Sequence, residues 1–302
     1  MPQRKPPESF FTLLTQAVNY FAQHGFNTKK DLVYWIRLLQ ASAEKTLPPA
    51  QATEKAIRRQ LGEVYSRMVT KGGAIKPTPM GAKISPVPFK LTSTPLGLPK
   101  GIKIVPGVSK FTIDKVKPAA RAELERRVFA SVNLIKLNRE EAISSTLRRF
   151  EGWVSSVPPT GAAELDKTEL KKHIRAPLAT MDFRERQVIM DQTAKFTQAL
   201  NTSIALHGKA LAARWYSRWK VPHYDYREDH KERDGLYYAV PNNWAIQKGL
   251  MKAGPTVFID QITQPAEEVN CKCSFVYVFG LADLPDEMLT EKGRESIAPK
   301  KK

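Results

Sequence analysis

The chain has 302 residues, 42% hydrophobic, 26% charged and 9% aromatic, an ordinary globular composition with ample length to bury an apolar core. Its 48 Lys+Arg against 30 Asp+Glu leave a formal charge of +18, which favours polyanionic or acidic partners. No run approaches the roughly 18 apolar residues of a membrane helix, the first residues lack the apolar core of a secretory leader, and the two cysteines lie too close together to staple a disulfide scaffold. The expectation is a chain that folds in a reducing cytoplasm without membrane contact.

Residues 1–69 read as helical. Phe10, Leu13, Leu14, Ala17, Val18 and Phe21 recur at three- and four-residue spacing, and Gly25 closes that helix. A second helix begins near Thr28 with Leu32, Trp35, Ile36 and Leu39 on one stripe, and a third runs from about Pro49 to Met68. Three short amphipathic helices predict a small bundle or a docking surface.

Residues 70–113 read as an extended basic arm or linker. Between Glu63 and Asp114 there is no carboxylate, and 70–110 carries seven Lys, seven Pro and six Gly, a composition that buries little apolar surface. Residues 1–113 hold 17 Lys+Arg against 5 Asp+Glu, two thirds of the whole excess charge. Lys71, Lys76, Lys83, Lys90, Lys100, Lys103 and Lys110 are candidate contacts to phosphates or to an acidic protein face. With no groove-reading helix, such DNA contact is sequence-independent. A solubilising spacer is the alternative.

Residues 114–219 read as a helical body. Pro118 suits a first helical turn, with Ala120, Leu124, Val128 and Ile135 following on one face. Asn138 with Glu141 has the form of a capping box opening a further helix, which carries Ile143, Leu147, Phe150 and Trp153 until Pro158. Asp166 with Glu169 and Asp182 with Glu185 repeat that start signal. From about 183 to 219 a helical period through Val188, Phe196, Leu200, Ile204, Leu211, Trp215 and Trp219 predicts a spine of roughly 55 Å. The tryptophans on it read as core. Short β-prone runs at Leu236–Val240, Thr256–Ile259 and Ser274–Phe279 make 220–280 a small α+β module, and 281–302 a polar helix at most. The expected fold is therefore mainly α, with one long spine helix, a basic arm and a small C-terminal α+β module.

One cluster invites chemistry: Tyr226-Arg227-Glu228-Asp229-His230, then Asp234-Gly235, then Asn270-Cys271-Lys272-Cys273. Imidazole and thiolate are the ligands a borderline-soft tetrahedral ion prefers, so His230, Cys271 and Cys273 are candidate metal ligands, with zinc the implied ion. His223, Asp229 and Asp234 are each available as a fourth. The alternative is a pair of small buried thiols beside a hydrogen-bonded histidine. Asp229, His230 and Asp234 around a metal could also activate water, which makes a metal-dependent nuclease or other hydrolase centred on His230 a competing reading, and a sequence-independent DNA-binding protein is another. No nucleophile beside a base and no phosphate-cradling glycine loop accompanies them.

At these residues the chain resembles the tailed-phage head morphogenesis family, the Mu F-like minor head proteins. The family signature is an Arg and a His shortly before Asp-Gly, then Cys-Arg-Cys some forty residues on; here they are Arg227, His230, Asp234-Gly235 and Cys271-Lys272-Cys273, with Lys272 replacing the usual Arg. Trp215, Trp244-Ala245, Gly249-Leu250 and Asn270 belong to the same pattern. Pro106-Gly107-Val108-Ser109, Asn133 to Arg139, Leu147 to Phe150, Asp283-Leu284-Pro285 and Met288-Leu289-Thr290 are similar to a branch from Gram-negative hosts, so the likeness spans roughly 106–294. The resemblance implies a non-enzymatic virion component made in the host cytoplasm and placed at the portal vertex or capsid interior. Its partners would be the portal or major capsid protein and packaged DNA, and its work head assembly, DNA packaging or ejection. It carries over no catalytic residues.

Overall fold

A computed structural model of the chain describes residues 9–46, 50–70, 110–162 and 164–298. The described fold is mainly α-helical with a three-stranded antiparallel sheet near the C-terminus, as the periodicity predicts. Of the arm lysines, only Lys110 falls among the described residues, and residues 110–113 are helical rather than extended; Lys71, Lys76, Lys83, Lys90, Lys100 and Lys103 lie outside them. No described helix is long and apolar enough to cross a membrane.

Two compact units divide the chain, one of Met1–Lys55 with Ala130–Val188, the other of Ala56–Phe129 with Ile189–Lys302. They cut across the segments expected from composition, because three helices belong partly to each: α3 (Ala50–Tyr65), α4 (Lys110–Val154) and α6 (Met181–His207).

The first unit is built around α1 (Phe10–His24), α2 (Lys29–Thr46) and α5 (Lys167–Ala179). Ser9 caps α1 by accepting from the Thr12 amide at 3.3 Å, and Asp166 caps α5 by accepting from the Thr168 and Glu169 amides, as its sequence position predicts. The apolar stripe of α1, with Leu14, Ala17, Val18 and Phe21 fully buried, packs on Leu39 of α2, Phe150 of α4 and Ile174 of α5. Gly25 ends α1 at φ 71°, and a β-carbon there would sit 2.2 Å from the carbonyl oxygen of Pro159. Arg139 and Glu185 form a buried bidentate pair that replaces two capping boxes expected from sequence: Glu185 turns to Arg139, and Glu141 reaches forward to Arg148 at 2.8 Å. No helix therefore starts at Asn138.

Instead α4 runs unbroken for 45 residues, about 68 Å, and is the longest helix among the described residues. Pro118 lies well inside it rather than in its first turn. An interior proline costs ~3 kcal/mol, which burial of Val116, Ala120, Leu124 and Val128 on one face offsets.

In the second unit, α3 passes into a π-helical turn at Ser66–Thr70. The expected spine to residue 219 stops at His207: α6 ends in a Schellman closure, with the Ala210 amide bonded to the Ala205 carbonyl, the Lys209 amide to Leu206, and Lys209 at φ 62°. The chain then becomes β1 (Ala212–Tyr216), the central strand between β2 (Tyr237–Ala239) and β3 (Ser274–Val278). Trp215 is a fully buried strand residue, opposite Phe275. Thr256–Ile259 forms no strand, only a bridge from Phe258 to Ala239. The short helices are α7 (Glu228–Glu232), α8 (Trp244–Gln247) and α9 (Glu291–Ile297). The end of the chain is more than a polar tail, since Leu284, Met288 and Leu289 pack with Leu211, Ala212 and Val278 beneath the sheet.

Gly25→Ala is expected to destabilise the protein by about 2 kcal/mol or more, through strain and the clash with Pro159. Gly152→Ala, on exposed α4 with nothing within 4 Å of the added carbon, is expected to stabilise by about 0.5–1 kcal/mol. Urea unfolding of the two variants checks both signs.

Candidate metal centre

Three side chains distant in sequence meet in the C-terminal module. His230 comes from α7, while Cys271 and Cys273 flank Lys272 just before β3. All three are buried, at 2%, 1% and 5% exposure. His230 Nδ1 lies 3.6 Å from the Cys271 sulfur and 3.7 Å from the Cys273 sulfur, and the three donor atoms fall within 4.8 Å of one another. The group could hold one metal ion.

Local chemistry explains the convergence. The Asp234 carboxylate accepts from the Ser217 amide at 2.9 Å and from Trp219 Nε1 at 3.0 Å, tying the turn after α7 to the end of β1. Gly235, at φ 87°, donates its amide to the Trp215 carbonyl at 2.9 Å and returns the chain to the sheet. The Trp215 ring then meets the His230 ring edge-on at 5.2 Å between centroids. On the other side, Asn270 adopts φ 60°, a conformation that short amide side chains tolerate, and its amide donates to Asp191 Oδ1 of α6 at 2.7 Å. The Tyr224 hydroxyl bridges the same loop, donating to the Asn270 carbonyl at 3.3 Å and accepting from the Lys272 amide at 3.0 Å.

The two thiols titrate as a pair. The hydrogen bond from Cys273 lowers the Cys271 thiol to about 6, against the opposing effect of burial; the Ala266 amide, 3.3 Å from the sulfur, and His230 add to the lowering. Cys273 is pushed far above the usual thiol range by that same hydrogen bond, by burial and by the charge on Cys271. Of the two, Cys271 is the sulfur that gives up its proton first.

The structure separates the fourth-ligand candidates. His223 is exposed, at φ 58°, and is not part of the convergent group. Asp234 has both oxygens committed to Ser217 and Trp219. Asp229 lies 3.8 Å from Nε2, the ring nitrogen turned away from the sulfurs, and binds Arg233 at 2.9 Å. Arg227 meets Glu268 at 2.7 Å and donates to the Val269 carbonyl at 3.1 Å, so it braces the cysteine loop. Lys272 lies over the Tyr224 ring at 4.7 Å.

Asp191, Ser217, Tyr224 and Glu268 also shape the site, and no motif in the sequence marks them. Each acts through the turn it holds, and only the charge of Glu268 three residues before Cys271 offered a signal. Comparison with protein-family models, curated proteins and solved structures finds no match for this chain.

Of the two thiols, only Cys273 has a proton for the metal to displace above pH ~6; below it, Cys271 is protonated as well and must also give up a proton. Metal affinity is thus expected to fall as pH is lowered, with the fall per pH unit steepening through about 6. Competition titrations from pH 7.5 to 5.5 measure this, and a pH-independent affinity would contradict it.

Proposed function

We propose that the chain is a structural minor head protein of a tailed bacteriophage, whose C-terminal module is fastened by zinc bound to His230, Cys271 and Cys273. The observation that carries this reading is that the residues of the head-morphogenesis signature, forty positions apart, meet at one buried point and divide the work of building it. His230, Cys271 and Cys273 supply donors; Arg227, Asp234, Gly235 and Asn270 hold the turns that bring them together.

The donor set suits zinc by chemistry and by spacing. A tetrahedral ion with bonds of about 2.3 Å to sulfur and about 2.0 Å to nitrogen keeps those ligand atoms about 3.5 Å apart, close to the 3.6 and 3.7 Å found here. Zinc bound there supplies a cross-link between α7 and the strand-leading loop. A small sheet of three strands, one only three residues long, gains from such a link more than a large core would.

A scaffolding role fits the site better than hydrolysis. The donors are buried, and the carboxylates that could manage a water nucleophile are spent on structure: Asp234 on Ser217 and Trp219, Asp229 on Arg233. The protein would work at the portal vertex or capsid interior against the portal or major capsid protein. The net charge of +18 supports contact with packaged DNA by counterion release, for which the arm lysines are the candidates.

Purified protein is expected to hold about one zinc per chain, and His230→Ala, Cys271→Ser or Cys273→Ser to lose most of it and to melt at lower temperature. Elemental analysis and calorimetry with and without chelator read this. The protein is expected to co-purify with the portal in proheads, and a phage lacking it to make defective heads or poorly infectious particles. Normal proheads with full infectivity would remove the proposal. DNA cleavage with divalent metals, abolished by His230→Ala, would replace it with the hydrolase reading.

A further inference from the structure

A neutral histidine ligates a metal through the nitrogen that lacks a proton, so whatever holds the proton on the other nitrogen decides whether the ring can serve. In His230 the nitrogen facing the sulfurs is Nδ1. Nε2, on the opposite edge, is buried and makes no hydrogen bond. It lies 3.4 Å from Glu268 Oε2, a buried oxygen that also lacks an aligned hydrogen bond, although Arg227 Nε meets it as an ion pair at 2.7 Å. A buried ring nitrogen with no hydrogen bond thus faces a carboxylate oxygen that can accept from it, and leaving Nε2 unpaired would cost its desolvation.

We propose that Glu268 is the positioning residue of this centre: it accepts the Nε2 proton of His230 and thereby aims the Nδ1 lone pair at the space between the two sulfurs. The inference rests on the metal reading above. Three features place Glu268 in this role. It belongs to the turn that sets Cys271, because its carbonyl accepts the Cys271 amide at 3.2 Å, so acceptor and thiol are positioned together. Arg227, from the residue before α7, holds the carboxylate through Nε while its Nη2 takes the Val269 carbonyl at 3.1 Å. The nearest competitor, Asp229, is farther from Nε2 at 3.8 Å and is engaged by Arg233. The signature arginine therefore acts on the metal at two removes, through Glu268 and the imidazole.

The test uses the full chain, zinc alone as probe, chelator competition for affinity, and long-range proton–nitrogen NMR of the His230 ring with and without zinc. In the wild type the ring is expected to be protonated on Nε2 and zinc-bound through Nδ1. Glu268→Ala is expected to weaken zinc binding by about 10–100-fold and to lose the Nε2–H signature, with the fold retained because the side chain is partly exposed. Glu268→Gln, whose amide oxygen still accepts, is expected to keep the signature and recover most of the affinity. Binding within about twofold of wild type in Glu268→Ala, with unchanged ring signals, would overturn the proposal. A wild-type chain that takes up no zinc would remove the metal reading instead. The metal-free ring would then decide the role of Glu268 alone: Nε2–H lost in the alanine variant and kept in the glutamine variant supports it, and signals indifferent to both refute it.

Discussion

The C-terminal module depends on one constraint: an imidazole from α7 must lie against two sulfurs that arrive 41 and 43 residues later. Burying a ring nitrogen and two thiols at one point is unfavourable unless each polar atom finds a partner. The surrounding turns hold the three groups where they can partner one another. Asp234 and Gly235 bring α7 back to β1, Asp191 and Tyr224 fix the loop before β3, and Trp215 closes the ring's open side. The sheet orients both arms of the site, because β1 pairs with β2 beyond α7 and with β3 beyond the cysteines.

The helical body was largely legible in the sequence, because its apolar stripes are long and its burial follows them. Phe10 to Phe21, Leu39, Phe150 and Ile174 all lie in the first unit's core. The central strand was not legible. Leu211, Trp215 and Trp219 continue the four-residue spacing of α6, yet in β1 the burial alternates, with Ala213 and Trp215 inside and Arg214 and Tyr216 outside. The stop signal was hidden as well, since the left-handed residue that closes α6 is Lys209 rather than the glycine beside it. Conversely, Asn138 and Glu141 looked like a helix start, but long-range pairing of Arg139 with Glu185 and a continuous buried face override a local cap.

At the site, the three donors could be named from residue chemistry, and the structure brings those three together. The fourth-ligand candidates could not be ranked that way, because the decision turns on which ring nitrogen faces the sulfurs and which carboxylates are already spent. Asp229 and Asp234 are equivalent in sequence and opposite in employment: one pairs with Arg233 behind the ring, the other binds two donors from the end of β1. The same distinction separates a scaffold from a hydrolase. It lies in hydrogen-bond partners, which a string of residues does not display.

X-ray absorption at the zinc edge of the purified full-length chain tests the central claim most directly, because it reads the donor atoms themselves. Two sulfurs at about 2.3 Å and a nitrogen shell at about 2.0 Å, with the sulfur contribution lost in a Cys271→Ser, Cys273→Ser double variant, is the predicted result. A shell of nitrogen and oxygen alone, or a chain that carries no zinc edge, would contradict it.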